Sequence, residues 1–207
     1  KGGRFELDLP FTQARTPNLF AYDIYTANAG FETDGIGTYQ HGVELGGTLP
    51  GDARWSAAVV QGRNQEGMKA LSDDVGKFDA NLFLRVSKRV QLHRIGAFSY
   101  LGRNTLALSP QIVWKDNLLR LGADADLRFD RFNLYGVFLY GRNDNPIASD
   151  AQPEGTQQAL DWTGGFVQGD YSLRDGLQLT VRLNAVNRAP SNPSASSETF
   201  TSVFPGI

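Results

Sequence analysis

Charged and polar residues recur at every second position along several stretches of this chain. Arg120, Asp124, Asp126 and Arg128 share one parity. Asp79, Asn81 and Arg85 share another, as do Gln168 with Asp170, and Arg182 with Asn184; Glu44 and Arg54 belong to a further pair of such stretches. Residues two apart on a strand stand on the same face, so these sets build charged stripes rather than reactive centres. A stripe acts through its field and its hydrogen bonds. It can line a water-filled passage and set the field there. It can also pair across strands, each pair contributing about 0.2–1 kcal/mol. Arg54, Arg85, Arg120, Arg128 and Arg182 are matched in number by Glu44, Asp79, Asp124, Asp126 and Asp170. A passage lined by them is mixed in sign and near neutral, so it selects weakly, or carries a transverse field where the signs segregate. A dedicated anion channel would need a surplus of Arg and Lys.

Reactive chemistry finds little footing. The chain has no cysteine, hence no thiol nucleophile, disulfide frame or haem-attachment motif. Its histidines are His41 and His93. Ser56 and Ser99 fall in strand-like stretches, but no spacing places them beside either histidine, as a serine hydrolase would need. No H-x-x-x-H or H-E-x-x-H occurs, and Gly35-Ile36-Gly37 lacks the third glycine and the helix of a dinucleotide loop. Asn143-Asp144-Asn145 with Asp150 offers oxygen ligands for Ca²⁺ without the spacing of a calcium loop, and the same residues are ordinary turn formers. The expectation is no enzyme, no cofactor and no metal site. A net charge of -2 likewise argues against nucleic acid, which leaves a basic footprint.

The elements that hold the stripes are strands. In residues 119–129, Leu119, Leu121, Ala123, Ala125, Leu127 and Phe129 alternate with the Arg and Asp residues above. Asp130-Arg131 turns the chain into a second strand, 132–141, and each arm has roughly the ten residues that a tilted strand needs to cross a bilayer. Similar arms are expected over 4–11, 19–29, 39–49, 54–62, 78–86, 92–101, 160–173 and 177–186. No apolar run reaches the ~18 residues of a membrane helix, which says nothing against a barrel, whose strands show lipid only at every second residue. Glycine, at 23 of 207 residues, also suits strands and turns better than a helical bundle.

Connections alternate between tight and long. Tight ones are expected at 50–53, 88–91, 130–131 and 174–176, and long ones at 64–76, 102–117 and 143–159, with a strand continuing past Trp114 as the alternative within 102–117; 188–199 is a Pro/Ser loop. Successive hairpins then put short turns at one rim and long loops at the other, the layout of outer-membrane barrels. Trp55, Phe129, Phe132 and Tyr171 flank the tight turns, while Tyr39, Tyr100, Tyr140 and Trp162 flank the long loops, as two aromatic girdles would. A soluble β-sandwich shares the alternation but not the rim asymmetry.

The phrases ELDLPF, GVELGG, AAVVQG, LRLGADADLRF, FNLYGVFLYGRNDN and QGDYSL resemble Gram-negative outer-membrane porins, and porin-like proteins some of which accompany multihaem cytochromes. The resemblance covers most of residues 4–187 and implies a diffusion pore, or a sheath around an electron-carrying partner. The terminal Pro-Gly-Ile departs from the aromatic last residue usual in such barrels, so closing strands are expected beyond this chain. The expected fold is thus all-β, an antiparallel up-and-down transmembrane β-barrel. Residues 1–207 would form one such domain, incomplete at its C-terminus, with about ten strands visible of a larger barrel. Its site in the cell would be the outer membrane. Its partners would be the bilayer, small hydrophilic solutes, and a second copy or a cytochrome. Its function would be passive diffusion of solutes or ions.

Overall fold

Among the described residues ten strands lie in one antiparallel sheet, each hydrogen-bonded to its neighbours in chain order. The structure is a computed structural model. It describes residues 1–11, 36, 40–61, 80–109, 112–144, 159–174, 177–190 and 198–206; the side chains of 104–114, 188–190 and 198–206 lie outside the description. The strands are β1 (Gly2–Phe5), β2 (Gln40–Leu49), β3 (Ala53–Val60), β4 (Asn81–Val90), β5 (His93–Ser109), β6 (Ile112–Arg128), β7 (Phe132–Asn143), β8 (Leu160–Arg174), β9 (Leu177–Pro190) and β10 (Glu198–Gly206). One sheet in sequence order is not the two packed sheets of a sandwich. β1 pairs only with β2 and β10 only with β9, so the sheet is open among the described residues.

The alternation of the sequence becomes the two faces of the sheet. Leu45, Leu84, Leu121, Val167, Val181 and Leu183 stand exposed on one face. Asn81, Arg85, Arg120, Asp124, Arg182 and Asn184 are buried on the other. The sheet curls toward the buried face. In a flat sheet β2 and β5 would stand roughly 14 Å apart, three spacings of about 4.8 Å. Yet the Tyr100 hydroxyl on β5 donates to Gln40 Oε1 on β2 at 3.1 Å.

Turn chemistry sets the register at the tight rim. Pro50-Gly51-Asp52 joins β2 to β3, with Gly51 and Asp52 at φ +76° and +59°. Glycine adopts that region freely and aspartate tolerates it. Gln91, at φ +56°, makes the next turn, and β4 continues to Val90, so this turn is shorter and later than the expected 88–91.

Four expectations are corrected. First, the strand over 4–11 is cut short. β1 ends at Phe5, and 6–11 leave the sheet and cross its buried face, with Leu7 and Leu9 fully buried there. The Leu9 N–H donates to the Leu7 carbonyl at 2.7 Å, and Pro10 has no N–H to give to a ladder, so the segment cannot extend the strand. Second, 102–117 is no long connection. β5 and β6 pair from Arg94–Asp126 out to Ser109–Ile112, with a register shift between Ala107 and Ser109. Each has 17 residues, and beyond Leu101 and Leu118 they pair, among the described residues, only with each other, so this hairpin projects past its neighbours β4 and β7. Third, two residues of the expected loop-side girdle face the other way: Tyr100 and Trp162 are buried on the inner face, on the parity of their polar neighbours. Fourth, β9 reaches Pro190 and β10 begins at Glu198, where a loop and tail were expected; Pro205 sits in this strand, which pairs only with β9 among the described residues, and edge strands are where sheets tolerate proline. Residues 19–29, Tyr39, 64–76, 145–158 and 175–176 lie outside the described residues.

Candidate functional site

The inner wall gathers nearly all the polar side chains that share a parity, and the strands place them by simple alternation. β4 brings Asn81 and Arg85, β6 brings Arg120, Asp124 and Asp126, and β9 brings Arg182 and Asn184, all buried. Gln168 and Glu44 are buried beside them, and Asp170 is half-buried. Arg54 and Arg128 have the inner parity but are exposed near the tight turns. Asp79 lies outside the described residues.

At the centre is an ion pair that skips a strand. Arg85 Nη2 on β4 donates to Asp124 Oδ1 on β6 at 3.0 Å. Gly96 of β5 lies between them: a Cβ there would stand 2.5 Å from Asp124 Oδ2 and 3.0 Å from Arg85 Nη2. The absent side chain is the gap through which the pair meets. Arg85 and Asp124 are each 5% exposed, and a charge so dry needs its partner. Arg94 Nη2 approaches Asp124 at 4.0 Å, and Asp8 of the crossing segment stands 3.8 Å from Arg85 Nε.

Two further networks flank this pair. Toward the projecting hairpin, Arg120 donates to the carbonyls of Leu119 and Arg142 and to Asn143 Oδ1, at 2.9, 2.9 and 2.7 Å. Asn143 Nδ2 donates to Asp116 Oδ2 at 2.5 Å, and the Arg120 guanidinium lies 5.1 Å from the Trp162 ring centre. Asn81 donates to the Tyr100 hydroxyl at 2.9 Å and accepts the Arg103 N–H at 2.8 Å. Toward the tight rim, Asp170 accepts from Gln168 and Thr180, each at 2.9 Å, and Arg182 donates to Asn184 Oδ1 at 2.8 Å. Arg128 closes on Asp126 at 2.9 Å, and Lys1 on Glu44 at 2.8 Å.

Phe83 shares the parity of Asn81 and Arg85 in the sequence, but periodicity missed the other aromatics of this wall. Phe83, Phe98, Tyr100, Tyr135, Trp162 and Phe166 are buried among the charges. Phe98 pairs in register with Gly122, where any Cβ would collide with its ring, so the ring lies flat across that glycine. The Arg182 guanidinium stacks on Phe166 at 3.7 Å, inside the range of a cation–π contact. Such inner glycines facing aromatics were the available signal. A large side chain needs a hole opposite it, and Phe98 and Trp162 each face a glycine.

The crossing segment completes the site. Phe11 sits with its ring centre 4.8 Å from that of Tyr135 and 6.2 Å from that of Phe166, and the Arg94 guanidinium lies 5.2 Å from it. Leu7 and Leu9 pack with Phe5 and Ile36 in the same cluster as the wall aromatics. Phe11 holds φ +53°, a region that costs a bulky L-residue about 1–2 kcal/mol, so the docked arm carries backbone strain.

Chain comparisons add no identity: no family model, curated protein or solved structure matches this chain. Chemistry must therefore be read from the wall itself. His41 is exposed on the outer face, and His93, at the start of β5, accepts the Arg128 N–H at the end of β6, so neither stands beside Ser56 on the inner face. Among the described residues no three His, Cys, Asp or Glu side chains come together as a metal site would require. Asn143 and Asp144 bond to Arg120, Asp116 and Arg142; Asn145 and Asp150 lie outside the described residues. The described inner wall offers charged groups, hydrogen-bonding groups and stacking rings.

Proposed function

We propose that this chain builds the wall of an outer-membrane β-barrel through which small hydrophilic solutes diffuse passively, without a chemical step. The observation that carries this reading is the exposed face. Leu45, Val59, Leu84, Val86, Ile95, Leu121, Phe138, Val167, Val181 and Leu183 are all exposed, on strands whose other face holds the charges. In water, an apolar surface of this extent drives association. In a bilayer it is the surface that hydrocarbon requires, and closure of the sheet would satisfy every backbone group. Trp55, Phe129, Phe132 and Tyr171 supply an exposed aromatic band beside the tight turns, as a membrane interface favours.

The test is reconstitution. Purified protein added to a planar bilayer is expected to give stepwise conductance with weak ion selectivity, because the inner wall mixes both signs. A protein that stays in buffer without detergent, or inserts without conductance, contradicts the channel reading. Insertion without conductance is also the behaviour of a sheath around a partner such as a multihaem cytochrome.

A further inference from the structure

The structure assigns a solute site to the recess that Asp8 and Phe11 now occupy, and we propose that it takes aromatic carboxylates, with the chain's own arm as a displaceable occupant. The inference rests on the channel reading and deepens it by naming a solute class. The arm presents two groups three residues apart, a carboxylate and a phenyl ring. The wall meets each with matching chemistry. Arg85 faces the carboxylate at 3.8 Å. Tyr135 lies 4.8 Å from the ring, tilted by 33°, Phe166 stands edge-on at 6.2 Å, and Arg94 covers the ring at 5.2 Å. A free molecule carrying a ring and a carboxylate would make the same contacts, its two ends no farther apart than the roughly 10 Å that three extended residues span.

Two observations point to a ligand beyond the arm. Arg85 is 5% exposed, yet its Nη1 has no hydrogen-bond partner among the described residues, and neither has Arg94 Nε. The Asp8 carboxylate stands 3.8 Å from Arg85 Nε, beyond hydrogen-bond distance, and Nη2 is taken by Asp124, so Nη1 is the donor left to an incoming anion. Moreover, the arm is held in a conformation that costs it. Phe11 occupies the left-handed region. An occupant under strain yields to a solute that is not.

The test uses the full chain in detergent micelles, titrated calorimetrically with 4-phenylbutanoate, butanoate and 3-phenylpropylamine. Removing the occupant ring with Phe11→Ala frees the competent state, so 4-phenylbutanoate is expected to bind at least about tenfold tighter than to the parent chain. Adding Arg85→Gln to that variant is expected to reverse the gain, and butanoate and the amine are expected to bind weakly to every form. If Phe11→Ala does not fold, Asp8→Asn releases only the ionic anchor and is expected to give roughly a threefold gain. Equal affinity of parent and released chains, or equal binding of the three probes, overturns the proposal. Conductance is read separately in bilayers. Binding without conductance overturns the channel and keeps the site; conductance without binding does the reverse.

Discussion

The two faces of this sheet obey opposite rules. On the outer face, apolar side chains stand apart and exposed, Leu121 at 44% and Val181 at 42%, with no buried partner to pack against. On the inner face, arginines, aspartates and rings are buried together and hold one another by directed contacts. A water-soluble sheet would bury the first set and expose the second. On the membrane reading proposed above, the medium, and not only the chain, decides which residues form a core. Inside, the packing is specific, and changes there should cost stability by breaking named contacts. Outside, identity should matter little so long as the side chain stays apolar.

The sharpest break of that contrast is at the central ion pair. Asp124→Ala leaves Arg85 as a buried charge whose remaining acidic neighbour is Asp8 at 3.8 Å. Destabilisation of about 3–5 kcal/mol is expected, read as urea unfolding from lipid vesicles. Next is the outer face. Leu121→Lys should cost about 2–4 kcal/mol on the same assay if that position lies near the bilayer midplane. The same change at Leu179, closer to the tight turns, should cost less, whereas Leu121→Val should be almost silent. Gly122→Ala tests the fit inside, since its Cβ would meet the Phe98 ring and overpacking costs about 1–3 kcal/mol. The smallest effect is expected at Arg128→Ala. Its ion pair with Asp126 is open to solvent on the arginine side, and such pairs contribute about 0–1 kcal/mol.

Much of the outer face was legible in the sequence, because Leu and Val at period two leave no other strand face for them. The polar stripes were legible for the same reason. Apart from Phe83, the inner aromatics were not. Tyr100 and Trp162 look like girdle residues when only their nearness to a loop is counted, and it takes the register to show Trp162 lying over Gly141. The β5–β6 extension was hidden by Gly102-Arg103-Asn104, which reads as a turn, although Gly102 serves instead to seat Asn81 against the strand. The arm was misread for a subtler reason. Phe5, Leu7 and Leu9 alternate as a strand should, but alternation reports only that one side is apolar, not that the other edge finds a partner. Docking at Arg85, Tyr135 and Phe166 joins residues 77 to 155 positions away from the arm, and no local pattern encodes such distances.

If the chain lines a membrane pore, its apolar face meets lipid and its charged face does not. Because the chain has no cysteine, single nitroxide labels can be placed at will. Labels at Leu84, Leu121 and Val181 are to be compared with labels at Asn81, Asp126 and Asn184 in lipid vesicles, by collision with oxygen and with a water-soluble nickel chelate. The first three are expected to collide with oxygen and to be shielded from nickel, and the second three to show no such preference for oxygen. Equal nickel access at Leu84, Leu121 and Val181 would contradict the membrane reading.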